Sequence, residues 1–296
     1  MQTVQSIYVN CCGRSLHVTL WQPDGTPRGD VLAWHGLART GRDMDDIANH
    51  LCQRGYRVVC PDTLGRGLSQ WSSEPSREYC LDFYLRLATE LIDQLQMQRL
   101  HWLGTSMGGA LGMLAAGGIA NAGVARRVRS LLLNDIGPQL AAAAVERIRT
   151  YAGQPPAFAT VPELEAYFRQ IYAPYGWLSD AQWRRLTETS TRRLPDGRVT
   201  PHYDPAMVQQ FVHYPDDYTL WQHYDAIAVP VLCLRGERSD LLLPDTVAVM
   251  RSRGPGARGL LEVIEVPGCG HAPALNTEAH YAWIDALLDR AERTTA

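Results

Sequence analysis

Apolar and polar positions along the chain repeat with two different periods, and the period switches at turn-forming residues. Val4–Asn10 and Ser15–Trp21 are runs of β-forming residues on either side of Cys12-Gly13-Arg14, which predicts an opening β-hairpin. Asp30–Trp34 is a short apolar strand ending at His35-Gly36. Tyr56–Cys60 is another, followed by Pro61-Asp62, and Arg99–Leu103 a third. Asp43–Arg54, closed by Gly55, has helical spacing. So does Arg77–Gln96, where Leu81, Tyr84, Leu85, Ala88, Leu91, Ile92 and Leu95 fall on one face. Val128–Asn134, Val229–Arg235 and Leu260–Val266 resume the strand pattern, with helices at Asp245–Arg251 and Thr277–Arg290. Strands alternating with helices predict a mostly parallel sheet covered on both faces.

The alternation breaks between Gly137 and Ala228. That segment carries helical stretches at Leu140–Tyr151, Pro162–Tyr172, Asp180–Thr191, Pro205–His213 and Asp217–Tyr224, and more than half of the chain's aromatic residues. The pattern predicts a core built from residues 1–136 and 229–296, interrupted by a helical cap at 137–228. Tyr172, Trp183, Phe211 and Trp221 are candidates to line an apolar substrate slot beneath the cap. Aromatic residues at helical spacing more often pack the cap itself.

Candidate chemistry centres on Gly104-Thr105-Ser106-Met107-Gly108, set between the Arg99–Leu103 strand and the helix-forming Gly109–Ala116. A G-x-S-x-G turn between strand and helix holds a serine out of the fold, because the glycines let two backbone segments crowd together. A serine nucleophile needs a base, and the base an orienting acid. In parallel sheets such groups lie just after strands. His271 follows Leu260–Val266 and is the candidate base. Asp240, in the loop after Val229–Arg235, is the candidate acid. Asp135, directly after Val128–Asn134, is its rival, and Glu237 shares the Asp240 loop. The oxyanion needs two N–H donors. Met107, at the start of the helix, supplies one, and Leu37, in the loop after Asp30–Trp34, is the candidate for the other. His35 fits a loop-shaping role better than that of a second base. Arg39 is a candidate for binding a substrate carboxylate, against the weightier reading of an ion pair with Asp43 or Asp62.

Taken together, Trp34-His35-Gly36, Asp62–Ser69, Gly104–Gly109, Arg235–Asp240 and Gly270-His271 resemble the α/β-hydrolase superfamily. The resemblance runs from about residue 15 to 290 and implies an α/β fold: a mostly parallel eight-stranded sheet flanked by helices, with an inserted helical cap. Carried over by position, it implies Ser106 as nucleophile, Asp240 as acid, His271 as base, and the Leu37 and Met107 amides as oxyanion hole. A serine in place of an aspartate nucleophile argues against haloalkane dehalogenases and epoxide hydrolases. Gly36-Leu37-Ala38-Arg39-Thr40 and Thr105 depart from the Gly-Pro-Gly run and the asparagine of many carbon–carbon bond hydrolases. The reading is therefore a serine esterase acting on small to medium carboxylic esters with an apolar or aryl group. The alternatives are a carbon–carbon bond hydrolase of ring-fission dienoates and a slow ligand receptor on the same fold, against which the intact triad speaks.

Composition narrows this a little. The 296 residues carry a net charge of −3, and all 28 basic residues are arginine. That excludes lysine-based covalent chemistry and gives no basic footprint for nucleic acid or a membrane. No apolar run approaches the ~18 residues of a membrane span. Residues 1–6 lack the pattern of a signal peptide, and seven scattered cysteines without C-x-x-C fit reduced thiols. The expectation is a cytoplasmic enzyme, monomer or homodimer, acting on a small molecule. No cofactor motif and no metal-ligand spacing are present.

Overall fold

The computed structural model describes residues 2–293, the Tyr151 side chain excepted. Met1 and residues 294–296, counted with the core above, lie outside the described residues. In chain order the strands are β1 (Thr3–Cys11), β2 (Arg14–Gln22), β3 (Asp30–Trp34), β4 (Arg57–Pro61), β5 (Leu100–Thr105), β6 (Val128–Asn134), β7 (Thr191–Arg193), β8 (Val199–Pro201), β9 (Val231–Gly236) and β10 (Leu261–Val266). The helices are α1 (Asp45–Gln53), α2 (Pro75–Glu78), α3 (Leu81–Gln94), α4 (Met107–Gly117), α5 (Ala122–Ala125), α6 (Ala142–Ala152), α7 (Val161–Ile171), α8 (Asp180–Thr189), α9 (Gln210–His213), α10 (Trp221–Ala226), α11 (Pro244–Ser252), α12 (Gly254–Ala257) and α13 (Glu278–Arg293).

Eight strands form one sheet in the order β1-β2-β4-β3-β5-β6-β9-β10. Only β2 runs antiparallel to its neighbours; the other pairs are parallel. Side-chain alternation divides the core into two layers. Val31 and Ala33 pack with Ile47 and Leu51 of α1 and Ile284 and Leu288 of α13. Leu32 and Trp34 face the other way, with Leu85 and Ala88 of α3 and Leu111 of α4. The loops leaving β3, β5, β6 and β10 emerge along the same end of the sheet, where their side chains meet.

The segment between β6 and β9 holds α6 to α10 and the antiparallel β7–β8 pair. It has a small core of its own, Leu164, Phe168, Trp183, Leu186 and Val199. Two details differ from the sequence pattern. The helix expected over Arg77–Gln96 breaks at Tyr79-Cys80, where the Tyr79 hydroxyl donates to Asp204 (2.6 Å) and Cys80 Sγ caps α3 by accepting from the Phe83 N–H. The stretch Pro205–His213 starts as a 3₁₀ turn, Pro205–Gln209, and only then becomes α9.

Candidate active site

Ser106 stands at the junction of β5 and α4 with φ +52° and ψ −117°. A non-glycine residue persists there only when its surroundings over-determine it. They do so here. The Ser106 N–H donates to the Asn134 carbonyl (2.9 Å), and its own carbonyl accepts from Gly109 (2.8 Å) and Ala110 (3.0 Å). Two glycines permit the crossing: a Cβ on Gly104 would come within 2.3 Å of the Gly108 backbone, and one on Gly108 within 2.2 Å of the Trp34 carbonyl oxygen.

His271, in the loop after β10, brings Nε2 to 2.9 Å from Ser106 Oγ. Its Nδ1 lies 2.7 Å from Asp135 Oδ2. The carboxylate on the imidazole is therefore Asp135 and not Asp240. Asp240 is about half exposed and bound to Arg147 at the surface. Asp135 is fully buried, and φ +53° turns it off the end of β6, the strand beside that of Ser106. The loop after β9 supports this acid instead of supplying one. The Gly236 N–H donates to Asp135 Oδ1 (2.8 Å) and the Ser239 hydroxyl to Oδ2 (2.6 Å). Glu237 accepts from the Gly268 N–H and does not reach the ring. With each carboxylate oxygen engaged, the Nδ1–H tautomer of His271 is the one that completes the set, leaving Nε2 free to accept from Ser106.

The turn after β3 is built on His35. Its Nε2 accepts from the Thr63 N–H (2.9 Å), so the ring proton sits on Nδ1, which donates to the Gly36 carbonyl (2.6 Å). Complete burial pushes this histidine down to about 4, which keeps it a neutral strut. Leu37, half-buried, follows in the turn with its carbonyl accepting from Arg66 Nε (2.9 Å). Met107 opens α4, so its N–H has no acceptor within the helix.

The residues singled out for substrate contact scatter. Arg39 is 4 % exposed; it forks onto Asp43 (2.7 and 2.6 Å), donates to Ser190 Oγ (2.9 Å), and lies over the Tyr172 ring. Tyr172 stacks between Phe168 and Tyr175. Trp183 is buried in the small core of the inserted segment. Phe211 stacks on Tyr218. Trp221 bonds to Gln139 and packs against Arg253; it lies on α10, which covers the far, C-terminal end of α4. None of the four aromatic residues lines the cavity beside the serine. That cavity, about 40 Å³, is lined by Gly36, Thr105 and Ala272, chain or contact neighbours of Ser106 and His271, and by Arg42, Asp46 and Arg185. Its apolar wall is Met44, Leu178, Leu186 and Leu275 with a single ring, Tyr175.

The inserted segment also grips the histidine loop. The Gly270 N–H donates to the Pro174 carbonyl (2.7 Å) and the Ala274 N–H to that of Tyr175 (3.1 Å). Asn276 Nδ2 reaches the Trp177 carbonyl (3.0 Å). A Cβ on Gly176 would sit 2.7 Å from Cys269 Sγ. These contacts flank His271 on both sides and were invisible in the sequence, because they join, largely through main-chain atoms, segments about a hundred residues apart.

An elbow serine served by a loop histidine, on a sheet of this order, is the layout of a hydrolase. Residues 31–284 match the model of the alpha/beta hydrolase family, and the chain belongs to that family. It is 42 % identical over 271 residues to a 3-hydroxybutyrate-oligomer hydrolase of Cupriavidus necator, with 88 % of each chain covered. An alpha/beta hydrolase from Novosphingobium aromaticivorans superposes with a TM-score of 0.83 at 32 % identity, covering 98 % of this chain and 99 % of that one. An E-2-(acetamidomethylene)succinate hydrolase shares the fold at 24 % identity, with a TM-score of 0.80 over 97 % of this chain and 100 % of its own.

Proposed function

We propose that the protein is a serine hydrolase that cleaves short aliphatic esters, with 3-hydroxybutyrate oligomers as the substrate class. The observation that carries the mechanism is the continuous Ser106–His271–Asp135 hydrogen-bond relay. The substrate class rests on the 42 % identical oligomer hydrolase. The apolar part of the cavity wall, aliphatic but for Tyr175, is in keeping with it and favours alkyl over aryl groups.

As Ser106 Oγ attacks the ester carbonyl carbon, its proton passes to His271 Nε2. Asp135 holds the ring tautomer and stabilises the imidazolium. The carbonyl oxygen becomes an oxyanion between the Leu37 and Met107 amides, the latter at a helix N-terminus. The C–O bond then breaks, and the leaving alcohol takes the proton from His271. Water attacks the acyl-Ser106, giving up its proton to His271, and releases the hydroxy acid with Ser106 restored. Residues 137–228 act as a cap over this centre. The seven cysteines stand free, six of them buried, which suits the cytoplasm.

The test is turnover of the 3-hydroxybutyrate dimer and of p-nitrophenyl butyrate by the wild type and Ser106→Ala. The variant is expected to lose about a million-fold. A wild type that turns over neither ester, or a variant that keeps its rate, would remove the reading.

A further inference from the structure

Three arginines are buried among the described residues: Arg39, Arg66 and Arg235. Arg39 pairs with Asp43 and Arg235 with Glu265. Arg66, the most deeply buried of the three at 0 % exposure, pairs with no carboxylate. Its partners are neutral. Nε donates to the Leu37 carbonyl (2.9 Å), and Nη1 to the Leu64 carbonyl (2.6 Å) and the Tyr84 hydroxyl (2.7 Å). Nη2 faces Met107 Sδ at 3.9 Å, and the rings of Tyr79 and Tyr84 flank the guanidinium. A buried cation without a counterion is unfavourable unless something else demands it.

The position of the charge supplies a reason. Arg66 touches Leu37 and Met107, the two residues whose amides form the proposed oxyanion hole. It is fully buried with its donors spent on protein atoms, so it is not placed to bind a substrate group directly. We propose that Arg66 is a positioning residue for that hole. It anchors, through the Leu37 carbonyl, the turn whose Leu37 N–H is held by the Gly36 peptide plane, and sets a positive charge with no carboxylate in contact behind both donors. The charge finds its counter-ion only when the ester carbonyl becomes an oxyanion. The inference rests on the serine hydrolase reading. Because a neutral ground-state carbonyl gains little from the charge, the benefit falls on kcat and not on KM.

The test compares Arg66→Gln, which keeps hydrogen-bond donors but drops the charge, with Arg66→Lys, which keeps the charge. Both are assayed on neutral p-nitrophenyl butyrate and on the anionic 3-hydroxybutyrate dimer. Inhibition by butylboronic acid, a tetrahedral anion once bound to Ser106, is measured alongside. Folding is followed by Tm. Arg66→Gln is expected to lose about 30- to 100-fold in kcat on both esters and a similar factor in boronate affinity, with KM within about three-fold. Arg66→Lys is expected to recover most of that loss. Equal losses in the two variants, a folded Gln variant with wild-type kcat, or a loss confined to KM for the anionic ester would each overturn the proposal. Should Arg66→Gln not fold, Arg66→Lys decides: kcat within about ten-fold of wild type supports the role of the charge, and a folded Lys variant as inactive as Ser106→Ala overturns it. A wild type inactive on every ester would instead remove the hydrolase reading itself.

Discussion

Asparagine in place of Asp135 tests the relay at its most specific point. Oδ1 of Asp135 accepts from the Gly236 N–H, whose direction the backbone fixes. An asparagine must therefore keep its carbonyl oxygen on that side and present its NH₂ to His271 Nδ1. The imidazole then carries its proton on Nε2, pointing at Ser106 Oγ, and cannot accept the serine proton. The equivalent change in serine hydrolases costs about 10⁴-fold in kcat, or about 5.5 kcal/mol of transition-state stabilisation. Asp240→Asn breaks only the pair with Arg147, both of whose side chains are about half exposed, worth about 1 kcal/mol or less of stability. Its kcat is expected within two-fold of wild type, on the order of ordinary surface changes. Initial rates on p-nitrophenyl butyrate at pH 8, with Tm recorded for both variants, separate the two. Near-normal turnover by Asp135→Asn, or a collapse in Asp240→Asn, would refute the assignment of the acid.

Other variants probe the surrounding framework. Gly108→Ala forces a Cβ against the Trp34 carbonyl and is expected to lower stability by about 2 kcal/mol and kcat at least about ten-fold, read by Tm and ester turnover. Leu186→Trp fills the cavity beside Ser106 and should lower kcat/KM for butyrate esters about ten-fold more than for acetate; an equal effect on both would place the acyl group elsewhere. His35, His101 and His280 are each pushed down to about 4 by burial. Unfolded histidines titrate near 6.5, so between these values the unfolded chain binds more protons and stability falls as pH drops, as thermal melts from pH 7 to 4 will register. His280 Nδ1 is buried without a partner. His280→Leu should therefore raise Tm more at pH 5 than at pH 8, and an equal shift at both would contradict that cause.

The sequence carried the sheet and the elbow clearly, because both are local. β3 runs over Asp30–Trp34 as its apolar run predicts, and the hairpin pairs around Cys12-Gly13. The acid was ambiguous for a physical reason. Asp135 and Asp240 both follow strands, and only the sheet order and a positive φ at Asp135 decide which one reaches the ring. Adjacency of β6 to β5 was the available signal. The β7–β8 pair had one as well, in Leu194-Pro195-Asp196-Gly197-Arg198, a turn sequence closed by the Gly197 N–H on the Leu194 carbonyl. Three-residue strands are too short to show a period. The cavity wall was not legible because it joins residues of the 3₁₀ turn Gly41–Met44, α8 and the histidine loop that share no local pattern; Met44, Leu186 and Leu275 meet only in the folded chain.

The grip of Pro174, Tyr175 and Trp177 on the loop around His271 bears on how this fold can be recombined. Exchanging residues 137–228 for the corresponding part of a relative would replace the strap that holds the His271 loop together with the proposed cap. A chimera that swaps that segment alone joins a foreign strap to a native loop. One that carries residues 267–277 with it keeps the pairing intact. On the proposed mechanism, specificity and proton transfer are then inherited as one module, and the unit of exchange is discontinuous in the chain.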